Sequence, residues 1–163
     1  MNENTASNNV YFTFVLGDVA YAIDVQSVKE VLTYEAITLV PRTVNYMKGV
    51  MNIRGSVISV IDFRVLFNIP VQQNEKSTSI VVTEVSSQNE APLTFGFIAD
   101  SVEGVNALDA EIDKTNIDSG LAAINNNFIR SLGRRGDRFI LILDTQKILE
   151  SVEKDLETKS KTK

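Results

Sequence analysis

The chain has no cysteine and no histidine among its 163 residues. Without cysteine it has no disulfide framework and no thiol nucleophile. Without histidine, His-dependent triads are excluded, and with both types missing so are the usual zinc ligand sets. Catalysis by carboxylates, Lys, Tyr, Ser or Thr stays open, so these absences lower the expectation of an enzyme without closing it. Long hydrophobic runs are missing too: none approaches the ~20 residues that cross a bilayer. The opening MNENTASNN lacks the basic and apolar regions of a secretory signal and is expected to be a disordered lead-in. A basic excess is also absent. The net charge of −5 argues against a nucleic-acid binder, although a local basic patch remains compatible with it.

What is present is an ordinary globular composition, 44% apolar and 23% charged, in a chain long enough for one domain or two small lobes. The lack of disulfides fits a cytoplasmic protein. The central stretch is Lys48–Phe67, KGVMNIRGSVISVIDFRVLF. Gly49–Ile53 reads as one strand and Val57–Ile61 as a second, the latter rich in β-branched residues. Arg54-Gly55-Ser56 is the turn between them, with Gly55 free to take the positive φ of a tight hairpin. Asp62 is placed to cap a short helix running through Phe67, which Asn68 and Pro70 stop. Arg54 is thus held at a rigid tip, where its planar fork suits oriented recognition. Composition alone favours a plain solvated turn arginine there.

Along the rest of the chain, Tyr11–Leu16 and Ala20–Val25 read as strands about a Gly17-Asp18 turn. Val25, Val28, Val31 and Leu32 recur at spacings of three and four, which predicts a short helix with Lys29 and Glu30 on its other side. Ile37–Val40 reads as a short strand ended by Pro41. Val71–Ser77 reads as a linker, Ser79–Val85 and Leu93–Ala99 as strands, and Val105–Asn127 as a long polar segment. Phe128–Leu132 and Arg138–Leu143 form a second hairpin around Gly133–Asp137. Asp144 then caps a C-terminal helix with Ile148, Leu149, Val152 and Leu156 on one face.

The chain echoes itself. Arg54-Gly55 leads through a β run to Asp62 and a helix, and Arg135-Gly136 leads through FILIL to Asp144 and a helix. Asp24–Val31 is similarly echoed by Asp100–Val105. Two similar small β lobes, with short strands closed into barrels, would produce this pattern. Two motif matches fail on position. Asp109, Glu111 and Asp113 resemble the start of a calcium loop, but the sixth and twelfth positions are Lys114 and Gly120 rather than Gly and Glu. Gly133–Gly136 has GxxG spacing but joins β runs, not helices.

KGVMNIRGSVISVIDFR resembles the signature of CheW-type chemotaxis coupling proteins, close to kGviNLRGxvixvidLr, with Ile53 and Phe63 where Leu is usual. YFTFVLGDVAYAIDVQSVKEVL, ITLVP, FGFIADSVEGV and GDRFILILDTQKIL resemble further family segments in family order, covering about Tyr11 to Leu149. Val44 departs from a common Pro, and Val105–Asn127 matches poorly. The resemblance implies a mainly β fold of two small five-stranded, SH3-like barrel lobes around a shared apolar core, with short helices and a C-terminal helix. It implies one domain over 10–150, lobes of about 10–75 and 76–150, and flexible tails at 1–9 and 157–163. It also implies a cytoplasmic, non-catalytic adaptor that needs no cofactor or metal and joins methyl-accepting chemoreceptor tips to the histidine kinase CheA in membrane-associated arrays. The receptor-binding residues it points to are Arg54, Glu30 and Asn52, with Glu30 and Arg54 paired. The kinase-binding face it points to is Val25, Val28 and Val31, which as ordinary core residues would be equally well explained. The competing class is a small-barrel nucleic-acid binder using Arg134, Arg135 and Arg138.

Overall fold

The computed structural model describes residues 10–34, 37–71, 78–86, 91–113 and 126–161. The expected mainly β fold is what it shows. Eleven strands lie among the described residues: β1 Val10–Leu16, β2 Val19–Asp24, β3 Val28–Thr33, β4 Met47–Ile53, β5 Ser56–Ile61, β6 Ser79–Val85, β7 Leu93–Ala99, β8 Ser101–Ala107, β9 Ala110–Asp113, β10 Ile129–Arg135 and β11 Arg138–Leu143. Two helices join them, α1 Phe63–Leu66 and α2 Thr145–Lys161. Asp62 caps α1 through the Arg64 amide at 3.0 Å, and Asp144 caps α2 through the Lys147 amide at 3.1 Å, as their sequence positions predict.

The strands form two sheets, ordered β3-β6-β7-β5-β4 and β8-β1-β2-β11-β10-β9. β5 runs parallel to β7 and β11 runs parallel to β2; the other pairings are antiparallel. The sheets do not follow a division near residue 75. The N-terminal hairpin β1–β2 completes the sheet of β8–β11, so each half of the chain contributes to the lobe dominated by the other. The reason lies in burial. Phe12, Phe14, Leu16, Tyr21 and Ile23 all belong to a central core between the sheets, together with Phe63 of α1, Phe67 at its C-cap, and Ile148, Leu149 and Val152 of α2. Phe63 and Phe97 stack there at 4.4 Å. Two smaller clusters fill the far faces, one around Tyr11, Ala20, Ile140 and Ile142, the other around Met51, Ile58, Val60, Ile80 and Ile98. Ile140–Leu143 is therefore an unbroken apolar run, because both of its faces are buried; Phe139 just before it is 55% exposed.

Several local expectations change. The predicted helix over Val25–Leu32 is a 3-10 turn, Val25–Ser27, followed by strand β3. A β-bulge between Val28 and Glu30 explains the misleading spacing. Val28 faces Thr83 and Val31 faces Val81, two positions apart on β6, so a three-residue spacing still points one way. Ile37–Val40 is not a strand; Thr38 alone bridges to Val50. The supposed polar segment from Val105 contains the end of β8 and all of β9, and 114–125 fall outside the described residues, as do 72–77 of the linker. Helix α2 continues to Lys161, past the start of the expected tail. The echo is also shifted by one residue. With Asp62 set against Asp144, the turn Arg54-Gly55 corresponds to Gly136-Asp137, while Arg135 is still in β10.

One polar cluster ties the sheets together. Arg64, 5% exposed, grips Asp62 with Nε and Nη2 at 2.9 and 3.0 Å and reaches Asp100 with Nη1 at 2.7 Å. Asp100 accepts the Gly17 amide at 2.7 Å in the β1–β2 turn. Burial opposes the Arg64 charge, but the bonds to Asp62 and Asp100 outweigh it and raise the guanidinium's pKa.

Candidate functional site

β3 and β4 are the two edges of the five-stranded sheet, yet side chains from their neighbourhoods meet. Arg54 Nη2 donates to Glu30 Oε2 at 3.0 Å. The sheet therefore curls until an ion pair spans the gap between its edges. Arg54 is at φ +52° and Gly55 at φ +87°, the two consecutive left-handed residues of a type I′ turn. Gly55 adopts this freely; for Arg54 it costs on the order of 1 kcal/mol. Asn52 pins the turn by accepting the Gly55 amide at 2.9 Å. Its side chain bonds the Gly55 amide and, among the described residues, makes no hydrogen bond to Glu30 or Arg54, so its part is to hold the loop. The Arg54 side chain is 80% exposed and Glu30 22%, which leaves most of the guanidinium donors facing outward. An open cleft of about 510 Å³ lies beside the pair, with Ile53, Val57, Ile58 and Val82 supplying apolar wall and Lys29 a second cation.

The three valines behave differently from one another. Val25 and Val28 pack against the central core, whereas Val31 is 41% exposed. Glu30 stands on β3, not on the polar side of a helix. The other sheet has an ion pair from an edge strand to an interior one, β11. Its edge strand β8 is bulged at Glu103, and Glu103 binds Arg138, just beyond the β10–β11 turn, with both carboxylate oxygens at 2.8–2.9 Å. The Asp24–Val31 and Asp100–Val105 echo was the only sequence signal for that pair. It marks the two bulged edge strands.

A second, polar cleft of about 420 Å³ runs between Gln26, Glu84 and the start of α2. On its rim Arg130 pairs with Asp24 at 3.1–3.2 Å and lies over the Tyr11 ring. Burial opposes the Arg130 charge, but Asp24 outweighs it and holds the pKa above its ordinary value. Tyr11 donates to Glu111 at 2.6 Å; burial first, then that bond, pushes its phenol up to about 12. Among the described residues no group of three or more carboxylates is placed to hold a metal ion. No described helix is long and apolar enough to cross a membrane.

Residues 10–153 match the family model of the CheW-like domain. The chain belongs to the CheW-like family. It is 28% identical to the chemotaxis protein CheW of Klebsiella aerogenes over 143 residues, covering 88% of this chain and 82% of that protein. It is 30% identical to the chemotaxis protein CheW of Helicobacter pylori, covering 86% and 81%. The crystal structure of the scaffolding protein TtCheW from Thermoanaerobacter tengcongensis superposes with a TM-score of 0.72 at 26% identity, over 84% of this chain and 89% of that one. In this CheW-like chain the edge-spanning pair Glu30–Arg54 and the turn-holding Asn52 all fall within the matched region.

Proposed function

We propose that this CheW-like chain is a non-catalytic chemotaxis adaptor that joins chemoreceptor cytoplasmic tips to the histidine kinase CheA, with Arg54 as the centre of receptor recognition. The family membership and its chemotaxis relatives support the adaptor reading. The observation that carries the site is the orientation of Arg54. A strained turn aims it outward, and Glu30 holds one of its nitrogens while the others remain open. As an exposed pair it adds only about 0–1 kcal/mol to stability, so its value is the preorganisation of a recognition group.

The basic cluster offers a nucleic acid less than its sequence implied. Glu103 chelates Arg138, and Arg134 Nη1 donates to the Gly136 carbonyl. The test is pull-down with receptor tips and CheA. Arg54→Glu should weaken receptor binding about tenfold or more without lowering the melting temperature, and adding Glu30→Arg should restore part of it. Unchanged receptor affinity in Arg54→Glu would reject the site. Loss with no recovery in the double variant would keep the contact and reject the pairing. A gel shift by oligonucleotides, with no capture of receptor or kinase, would reject the adaptor reading altogether.

A further inference from the structure

The segment from Ile37 to Ile61 contains Arg42, Lys48 and Arg54 and no acidic residue. In a chain of net charge −5, this +3 leaves −8 for the remainder. Arg54 is paired with Glu30; among the described residues Arg42 and Lys48 have no ion pair. The first part of the segment is a strap laid along the outer edge of β4. Thr38 and Val50 exchange both backbone hydrogen bonds at 2.8–2.9 Å. The contact is close enough that a Cβ on Gly49 would collide with the Thr38 carbonyl, so only glycine admits the strap there. Further along, the Met47 amide bonds the Val44 carbonyl at 3.1 Å, and Tyr46 is buried with its hydroxyl on Asp155 at 2.7 Å. The strap is therefore fastened at both ends.

Between those fastenings it presents Leu39, 73% exposed, Val40, 41% exposed, and Arg42 held at φ +59°. Large apolar side chains on a pinned segment, beside an arginine in a costly backbone conformation, are features of a contact surface rather than of a solvated loop. Arg54 is six residues beyond Lys48, roughly 20 Å along a strand that rises about 3.3 Å per residue, so the strap is a separate surface from the Glu30–Arg54 cleft.

We propose that the strap Leu39–Arg42, with Lys48 beside it, is a second docking surface, and that it takes an acidic protein segment carrying large apolar side chains. The charge census selects this occupant. A short acidic segment meets only the local positive charge of Arg42 and Lys48, whereas a nucleic acid needs several phosphate contacts and extends into the field of the rest of the chain, which is net negative. The apolar pair gives such a segment an anchor, and the cations fix its register.

The experiment titrates the full chain into fluorescent synthetic dodecapeptides that combine Leu or Phe with Asp or Glu, each with a twin in which Lys replaces the acids. At least one acidic peptide should bind tenfold or more tightly than its twin and weaken as salt is raised. Leu39→Ser and Arg42→Glu should each weaken it about tenfold, with melting temperatures unchanged because both side chains are exposed. Arg54→Glu should leave it unaffected, which keeps this surface distinct from the receptor site. No acidic peptide preferred over its twin, or affinity unaltered in both strap variants, would overturn the proposal. So would oligonucleotides of equal length binding as tightly as the best peptide.

Discussion

Arg64→Met tests whether the polar cluster between the sheets holds them together. The substitution keeps most of the volume and removes the charge. Asp62 and Asp100, whose side chains are only 7% and 19% exposed, lose their cation while remaining enclosed. Removing one member of a buried pair costs about 3–5 kcal/mol, because the carboxylates left behind are desolvated without compensation. At about 2–4 °C per kcal/mol for a chain of this size, the melting temperature should fall by roughly 6–20 °C. Asp100→Asn retains an acceptor for the Gly17 amide and loses only the charge, so its cost should be nearer 1.5–3 kcal/mol, the range for a hydrogen bond to a charged group. Circular dichroism melts of both variants, with Arg54→Met as an exposed control, measure this. Amide exchange at Gly17 should quicken in both. If Arg64→Met melts no lower than Arg54→Met, the cluster contributes nothing and the reasoning fails.

Two further outcomes follow from burial. The phenols of Tyr11 and Tyr21 are both raised to about 12 from 10.0, by burial first and, for Tyr11, then by Glu111. The folded state thus holds these protons more tightly than the unfolded one. Their stabilisation is complete below pH 10 and is lost as pH rises from 10 towards 12, so urea midpoints should fall across that window, and Tyr11→Phe should shallow the fall; a flat profile there would contradict the assignment. Val28 packs on the central core and Val31 does not, so Val28→Asp should lower the melting temperature by several degrees while Val31→Asp leaves it nearly unchanged. Kinase capture by the folded Val31→Asp variant then decides whether that face binds CheA.

The sequence by itself determined what depends on neighbours along the chain. The Arg54-Gly55 turn, the capping roles of Asp62 and Asp144, the apolar face of α2 and most strands follow from local propensity and turn chemistry, and the structure contains them. The family was legible for the same reason, since its signature is a contiguous hairpin and cap. Tertiary structure decided what depends on residues far apart. Helical spacing at Val25, Val28 and Val31 was indistinguishable from a bulged strand until β6 supplied partners. The placement of β1–β2 in the sheet of β8–β11 depends on where Phe14 and Tyr21 find a common core, which no local window contains. Arg64 read as part of a signature, and only the meeting of α1, the β7–β8 corner and the β1–β2 turn made it a buried clasp. The Glu30–Arg54 contact was anticipated from the family, but its position across the two edge strands follows from the curl of the sheet, a property of all five strands at once.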